Sequence, residues 1–206
     1  GKDWTIKTTG TNYDFFSVHF INTDIGWVSG IFSTYIPGYG AFHSRRILKT
    51  IDGGEAWIQL YSSAYYSYLG IGDIFVVDQN IGWACNPGLP LLKTTDGGSN
   101  WIELGYDGGS SIHFIDYNTG WIVGNDQGKI YQSTDGGESW VNQPSSVNSM
   151  LNSVYFINDS TGWVVGDNGT ILSTIKNQNG GDDSVDTQIP SEYNLSQNYP
   201  NPFNST

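Results

Sequence analysis

The stretch SIHFIDYNTGWIVG (Ser111–Gly124) reads as two strands around one tight turn. Apolar and polar residues alternate through SIHFI, with β-branched and aromatic side chains on a period of two. An Asx-rich turn follows, and a second strand opens on Gly-Trp. The same pattern returns as SVHFINTDIGWVSG from Ser17, DIFVVDQNIGWACN from Asp73 and SVYFINDSTGWVVG from Ser153. The shared glycines are Gly26, Gly82, Gly120 and Gly162, at intervals of 56, 38 and 42 residues. A strand-rich period near forty residues predicts propeller blades of four strands each, A to D.

Each unit continues through a short turn into a third strand, such as KIYQST, and then into a second recurrent motif. That motif is KTIDGGEAW (Lys49–Trp57), KTTDGGSNW (Lys93–Trp101) and QSTDGGESW (Gln132–Trp140). Its carboxylates Asp52, Asp96 and Asp135 stand two residues before Gly54, Gly98 and Gly137, and Trp57, Trp101 and Trp140 follow three residues later. An aspartate so placed accepts turn N–H groups, the glycines permit positive φ, and the ring folds back over the turn. Catalysis needs converging groups, whereas equivalent turns on separate blades diverge. The motif is expected to be a structural fastener, with no catalytic residue in it.

The fourth unit has no such motif after GTILSTIKNQNGG, while the first residues, GKDWTIKTTG, look like an orphan fourth strand. The eight tryptophans then divide evenly, with Trp27, Trp83, Trp121 and Trp163 in strand B and Trp57, Trp101, Trp140 and Trp4 in strand D. The expectation is an all-β propeller of four-stranded antiparallel blades over residues 1–176, with four blades closed by the N-terminal strand pairing beside Gly169–Thr174. An arc of a longer propeller gives the same tally and is the alternative.

Composition narrows the partners. Eight Lys and Arg against 20 Asp and Glu give a net charge of −12, which repels nucleic-acid phosphate and anionic lipid. No apolar run approaches the ~18–20 residues of a membrane span, so insertion is not expected. Cys85 is the only cysteine and is read as a small buried hydrophobe. No signal peptide is expected in this stretch, and a start at GKDW without methionine is read as a processed or trimmed N-terminus. No metal, nucleotide or nucleophile motif is evident, and no cofactor is expected.

The box resembles that of the bacterial neuraminidase repeats, and the whole unit more closely resembles the photosystem II stability/assembly factor-like propellers. The resemblance covers nearly all of residues 3–176, because strand A, Gly-Trp, the B–C turn and the box recur in order. It implies a non-enzymatic binding or assembly module. Plant and cyanobacterial members use a basic surface to escort photosystem II proteins. Here Arg45 and Arg46 are the only arginines, so that role is not carried over. They also cannot supply the spread arginine triad of a sialidase.

Residues 177–190 form an acidic Gly/Asp/Ser linker, and 191–206 change character again. In YNLSQNYPNPFN, Tyr193, Leu195, Asn198, Tyr199, Pro200, Asn201, Pro202 and Phe203 resemble the start of a type IX secretion sorting domain, here truncated. That resemblance implies a secreted or outer-surface protein of a Bacteroidetes-like bacterium, exported by the type IX machinery, with the propeller as cargo.

Two connections exceed the repeat length, Gly30–Arg46 within unit 1 and Leu60–Asp73 between units 1 and 2. Four-strand topology sends both to the same face. They carry Tyr35, Tyr39, Phe42, His43, Arg45, Arg46, Tyr61, Tyr65, Tyr66 and Tyr68, a candidate surface for a glycan or extracellular protein. Packing of the two loops on each other is the alternative. His19 and His113 share one repeat position, where Phe75 and Tyr155 stand in the other units, and inter-blade packing is expected there rather than an axial metal. A propeller glycoside hydrolase needs two carboxylates ~5–10 Å apart. Asp73, in place of Ser17, Ser111 and Ser153, with Asp14 upstream, is the best pair for that alternative. A structural subunit of an extracellular assembly, with self-association, is the third reading.

Overall fold

The computed structural model describes residues 3–65, 70–124 and 126–175. Fifteen strands form four antiparallel sheets among them. Blade 1 comprises β1 (Asp14–Phe20), β2 (Gly26–Ile36), β3 (Gly40–Thr50) and β4 (Ile58–Tyr65). Blade 2 comprises β5 (Asp73–Val76), β6 (Gly82–Cys85), β7 (Pro90–Thr94) and β8 (Ile102–Asp107). Blade 3 comprises β9 (Ser111–Phe114), β10 (Gly120–Val123), β11 (Ile130–Ser133) and β12 (Val141–Gln143). Blade 4 has three strands, β13 (Leu151–Asn158), β14 (Thr161–Gly166) and β15 (Ile171–Ile175). Strand order follows chain order in every sheet, so each blade is a simple meander and the propeller architecture is borne out.

The blades stack through their first strands, β1 on β5, β5 on β9 and β9 on β13. The Gly-Trp pair explains the junction. Trp83 of blade 2 lies flat on Phe114 of blade 3, with ring centroids 3.6 Å apart, and Trp121 lies on Phe156 in the same way. Behind each phenylalanine sits the glycine that opens the next strand. A Cβ on Gly120 would come within 2.5 Å of the Phe114 ring, so only glycine lets the ring rest on the backbone. Trp27 packs against Val76, which takes the phenylalanine position in blade 2. Apolar clusters fill all three junctions.

The expected closure does not form. Asp3–Tyr13 adopts no strand, Trp4 is 95% exposed, and Lys7 pairs with Glu55 of blade 1. Blades 1 and 4 are not brought together as neighbours in the way that β1 and β5 are. Instead both outer flanks face solvent, Phe16, Val18 and Phe20 on blade 1, Tyr155, Trp163, Val165 and Ile171 on blade 4. The physical reason lies in the junction: closing four blades needs about a quarter turn at each step, whereas the observed junctions, built on flat Trp–Phe stacks, do not bring blade 4 back to blade 1. The described residues therefore form an open arc of four blades, as the alternative reading had it.

Candidate functional site

The box motif is built the same way three times. In blade 2 the Thr94 hydroxyl donates to Asp96 Oδ1 (3.0 Å) and accepts from Gly98 N–H (2.8 Å), and Asn100 N–H donates to the same Oδ1 (2.8 Å). Thr50 and Asp52 repeat this in blade 1, Ser133 and Asp135 in blade 3. Both glycines take positive φ, for example 75° at Gly97 and 94° at Gly98. Trp57 and Trp140 close the turn by donating indole N–H to Gly54 and Gly137 carbonyls at 3.2 and 3.1 Å. The hydroxyl, amide and backbone N–H donors of the turn hold the carboxyls of Asp52, Asp96 and Asp135 below the usual range, Asp135 at about 2, where the Ser139 hydroxyl and N–H lead. The box carboxylates are satisfied locally and each sits on its own blade, as a fastener should, although the Trp101 indole nitrogen is buried without the partner that Trp57 and Trp140 have.

The box also locks onto the preceding blade. Trp83 donates to the Gly136 carbonyl (3.0 Å), and Lys49 donates to Gly97 and Gln79 carbonyls at 3.2 Å while lying 4.5 Å from the Trp27 ring centroid. Burial lowers the Lys49 pKa.

A second repeated clip joins the inner strands. Ser17 Oγ accepts the N–H of Ile74 (3.4 Å), Asp73 Oδ2 that of Ile112 (3.0 Å), and Ser111 Oγ that of Val154 (3.4 Å). Each side chain thus reaches the residue after its own counterpart in the next blade. Asp73 further accepts from Ser17 Oγ (2.8 Å) and Ile74 N–H (2.9 Å). The carboxylate weighed for hydrolysis is thereby engaged as the strongest of these clips, and Asp14 stands exposed on β1.

The histidines pack between blades, as their aromatic replacements suggest. His19, Phe75, His113 and Tyr155 form a continuous ladder of rings with centroids 4.6–4.7 Å apart. His113 Nε2 meets the Phe156 carbonyl at 2.9 Å, and His19 hydrogen-bonds the equivalent Val76 backbone. Burial lowers both imidazole pKa values, against the raising effects of these carbonyls and of Asp73. No group of three metal-ligating side chains exists among the described residues.

The first long connection is a strand extension rather than a loop, and the second begins as one. β2 and β3 pair without interruption from Gly26–Thr50 to Ile36–Gly40, and β4 continues alongside to Tyr65 opposite His43. The result is a hairpin projecting beyond the blade. Its tip exposes Tyr35 and Tyr39, the latter at 91%, with Phe42 half-buried. His43, Arg45 and Arg46 are buried in its base. Arg46 lies over the rings of Tyr13 and Phe32 and donates to the hydroxyls of Ser44 and Ser62 (2.5 Å for Ser62). Arg45 lies over Tyr61 and pairs with Glu103 of blade 2. The arginines are therefore removed from the candidate surface and stiffen the hairpin instead. The Tyr65 side chain, Tyr66, Tyr68 and the tail from residue 176 lie outside the described residues.

Sequence reasoning missed the serine and aspartate clips. Their signal was present in the recurrence of Ser17, Asp73, Ser111 and Ser153 at one position, but a short polar residue at a strand start has many ordinary roles.

Comparison with known proteins gives one kind of answer. The pattern of the family described as photosynthesis system II assembly factor YCF48 matches residues 106–195, less than half of the chain. No curated protein sequence matches. Among solved structures, YCF48 bound to a D1 peptide is 20% identical, with a TM-score of 0.58, over 84% of this chain and 53% of that one. The GH74 enzyme of Niastella koreensis is 18% identical, with a TM-score of 0.56, over 79% of this chain and 28% of its own. The computationally designed Ika4 protein is 12% identical, with a TM-score of 0.55, over 81% of this chain and 94% of its own. The chain thus spans about half the length of the YCF48 structure it matches. Its fold is that of an Asp-box propeller, similar to YCF48, and residues 106–195 carry that family's sequence pattern.

Proposed function

We propose that the chain is a non-enzymatic, secreted or cell-surface binding module that engages an extracellular protein through the hairpin of blade 1. The observation that carries this reading is the contrast in that hairpin. Its arginines are sequestered in a stiff base while Tyr35 and Tyr39 stand free at the tip. A pre-ordered pair of tyrosines offers wide contact area with little entropy to lose on binding. The likeness to a propeller whose structure holds a bound peptide favours a polypeptide over a glycan. The Asp73 carboxylate serves the blade junction, which speaks against the hydrolase reading despite the likeness to GH74 propellers.

Export by the type IX route rests on the tail residues Tyr193–Phe203 and belongs to the same proposal. The test is an immobilised-chain binding screen against surface-exposed proteins and a glycan array. Saturable binding of a polypeptide, weakened at least tenfold by Tyr35→Ala with Tyr39→Ala, is expected. Binding that ignores this double substitution, or binding to glycans alone, overturns the reading.

A further inference from the structure

Two of the three junctions carry a cation against the strand-B tryptophan. Lys49 stands opposite Trp27 in the β2–β3 pairing, with Nζ 4.5 Å from the ring centroid, and donates to the carbonyls of Gln79 and Gly97 in blade 2, both at 3.2 Å. Lys93 stands opposite Trp83, 5.8 Å from its ring centroid, and donates to Glu138 of blade 3 at 3.2 Å. The residue opposite Trp121 is Gln132, which carries no charge. The third junction has lost its lysine.

The same junction has gained an anion. Three residues before the strand-B glycine the repeat places Thr23, Gln79, Tyr117 and Asp159. Only the last is charged, and Gln79 is the residue whose carbonyl receives Lys49 across the first junction. Between Gln132 and Asp159 lies a cavity of about 110 Å³, with Trp121 and Gln143 also on the blade 3 side and Phe156 and Thr174 on the blade 4 side. In the second junction the corresponding space holds the box, where Gly136 accepts the Trp83 indole N–H and Gly137 lies against Leu104. The sequence has no such box after β15. Gln143 takes the repeat position of Leu104, and its Nε2 donates to Gln132 Oε1 (2.7 Å), which leaves the Gln143 amide oxygen to accept.

A cavity walled by a tryptophan, a carboxylate and an amide oxygen, with no cation among the described residues that line it, is complementary to a lysine side chain. We propose that it binds the ammonium group of a lysine presented by a partner polypeptide, seated against the Trp121 ring with Asp159 as counter-ion. Lys49 and Lys93 show the geometry in the other two junctions. Trp121 is 2% exposed, and the attraction between a cation and an aromatic ring strengthens where water is excluded. A net charge of −12 favours the encounter with a basic segment. The site is separate from the hairpin of blade 1 and does not depend on its tyrosines.

The probe is the capped peptide acetyl-Gly-Gly-Lys-Gly-Gly-amide, titrated into the isotope-labelled full chain while the tryptophan indole N–H signals are followed by NMR. Saturable movement of one indole signal is expected, weakening as salt is added. The same peptide with its lysine acetylated is expected to move none. Gln132→Lys supplies the junction with its own ammonium, so it is expected to displace that indole signal without peptide and to abolish the response. Asp159→Asn, in the exposed β13–β14 turn, leaves the fold intact and is expected to weaken binding at least about threefold. No response from the parent, an equal response to the acetylated peptide, or binding that survives Gln132→Lys overturns the proposal. A response that appears only in Lys176→Gln also overturns it, because the chain's own lysine then already holds the place.

Discussion

The junction between blades 2 and 3 and the two flanks of the arc carry the same residues at the same repeat positions, yet behave oppositely. Trp83 is fully buried between Phe114 and the next blade's box, whereas Trp163 has neither covering. Asp73 gathers three hydrogen bonds, two of them across its junctions, whereas Ser153, at the same position, stands exposed on the flank of blade 4. The lesson is that a blade is not itself a complete unit of stability. The unit is the junction, in which a tryptophan, a glycine-backed phenylalanine, a box and a polar clip come from two neighbouring blades.

The tryptophans give the sharpest contrast. Trp83→Ala removes a fully buried ring, its stack on Phe114 and its hydrogen bond to Gly136, and is expected to cost about 3–5 kcal/mol. Trp163→Ala, measured where the chain is a single copy, is expected to cost below about 1 kcal/mol, as for an ordinary surface change. Denaturant midpoints of the two variants check this; equal losses break the comparison.

Asp73→Asn comes next. The amide keeps one acceptor but turns an N–H₂ toward a backbone donor, at a cost of about 1–3 kcal/mol. Ser153→Ala is expected to be neutral. A polysaccharide-turnover assay on the Asp73→Asn variant, whose parent is expected to be inactive, separates the junction role from a catalytic one.

The smallest effect is in pH. Burial lowers the pKa of His19 and His113 below the ordinary value near 6.5. The unfolded chain therefore binds protons before the folded one does, so stability is full above about 6.5 and declines as pH falls toward the lowered folded values. The box carboxylates do not interfere, since theirs are lowered and titrate only in strong acid. His113→Tyr, the residue type blade 4 uses, is expected to flatten part of the decline in melting temperature between pH 7 and 5.5. An unchanged slope removes the histidine ladder from the account.

Much of this was legible in the sequence. Gly26, Gly82, Gly120 and Gly162 marked strand B because only glycine lets the strand-A side chain, a ring in three blades and Val76 in blade 2, rest on its backbone, and the Asp-Gly-Gly turns followed from positive φ. Ring closure was not legible, because a tally of strands and tryptophans is the same for a ring and an arc, while the turn between sheets depends on the thickness of the Trp–Phe stack. The candidate surface was half legible. Tyr35 and Tyr39 are exposed at a hairpin tip, but the neighbours Arg45 and Arg46 point to opposite faces of a strand, and each finds an aromatic ring there. Neither partner is near in sequence, so nothing local announced their burial.

The open arc is tested most directly by a pair of cysteines, Thr5→Cys with Ser173→Cys. The native Cys85 can be left in place, because burial pushes its thiol well up and out of reach of oxidants. After mild oxidation, mass analysis of the products tells whether a chain has joined to itself. No self-joined monomer is expected, because Trp4 and its neighbours form no strand beside β15. A single chain bridged internally between these positions contradicts the open arc.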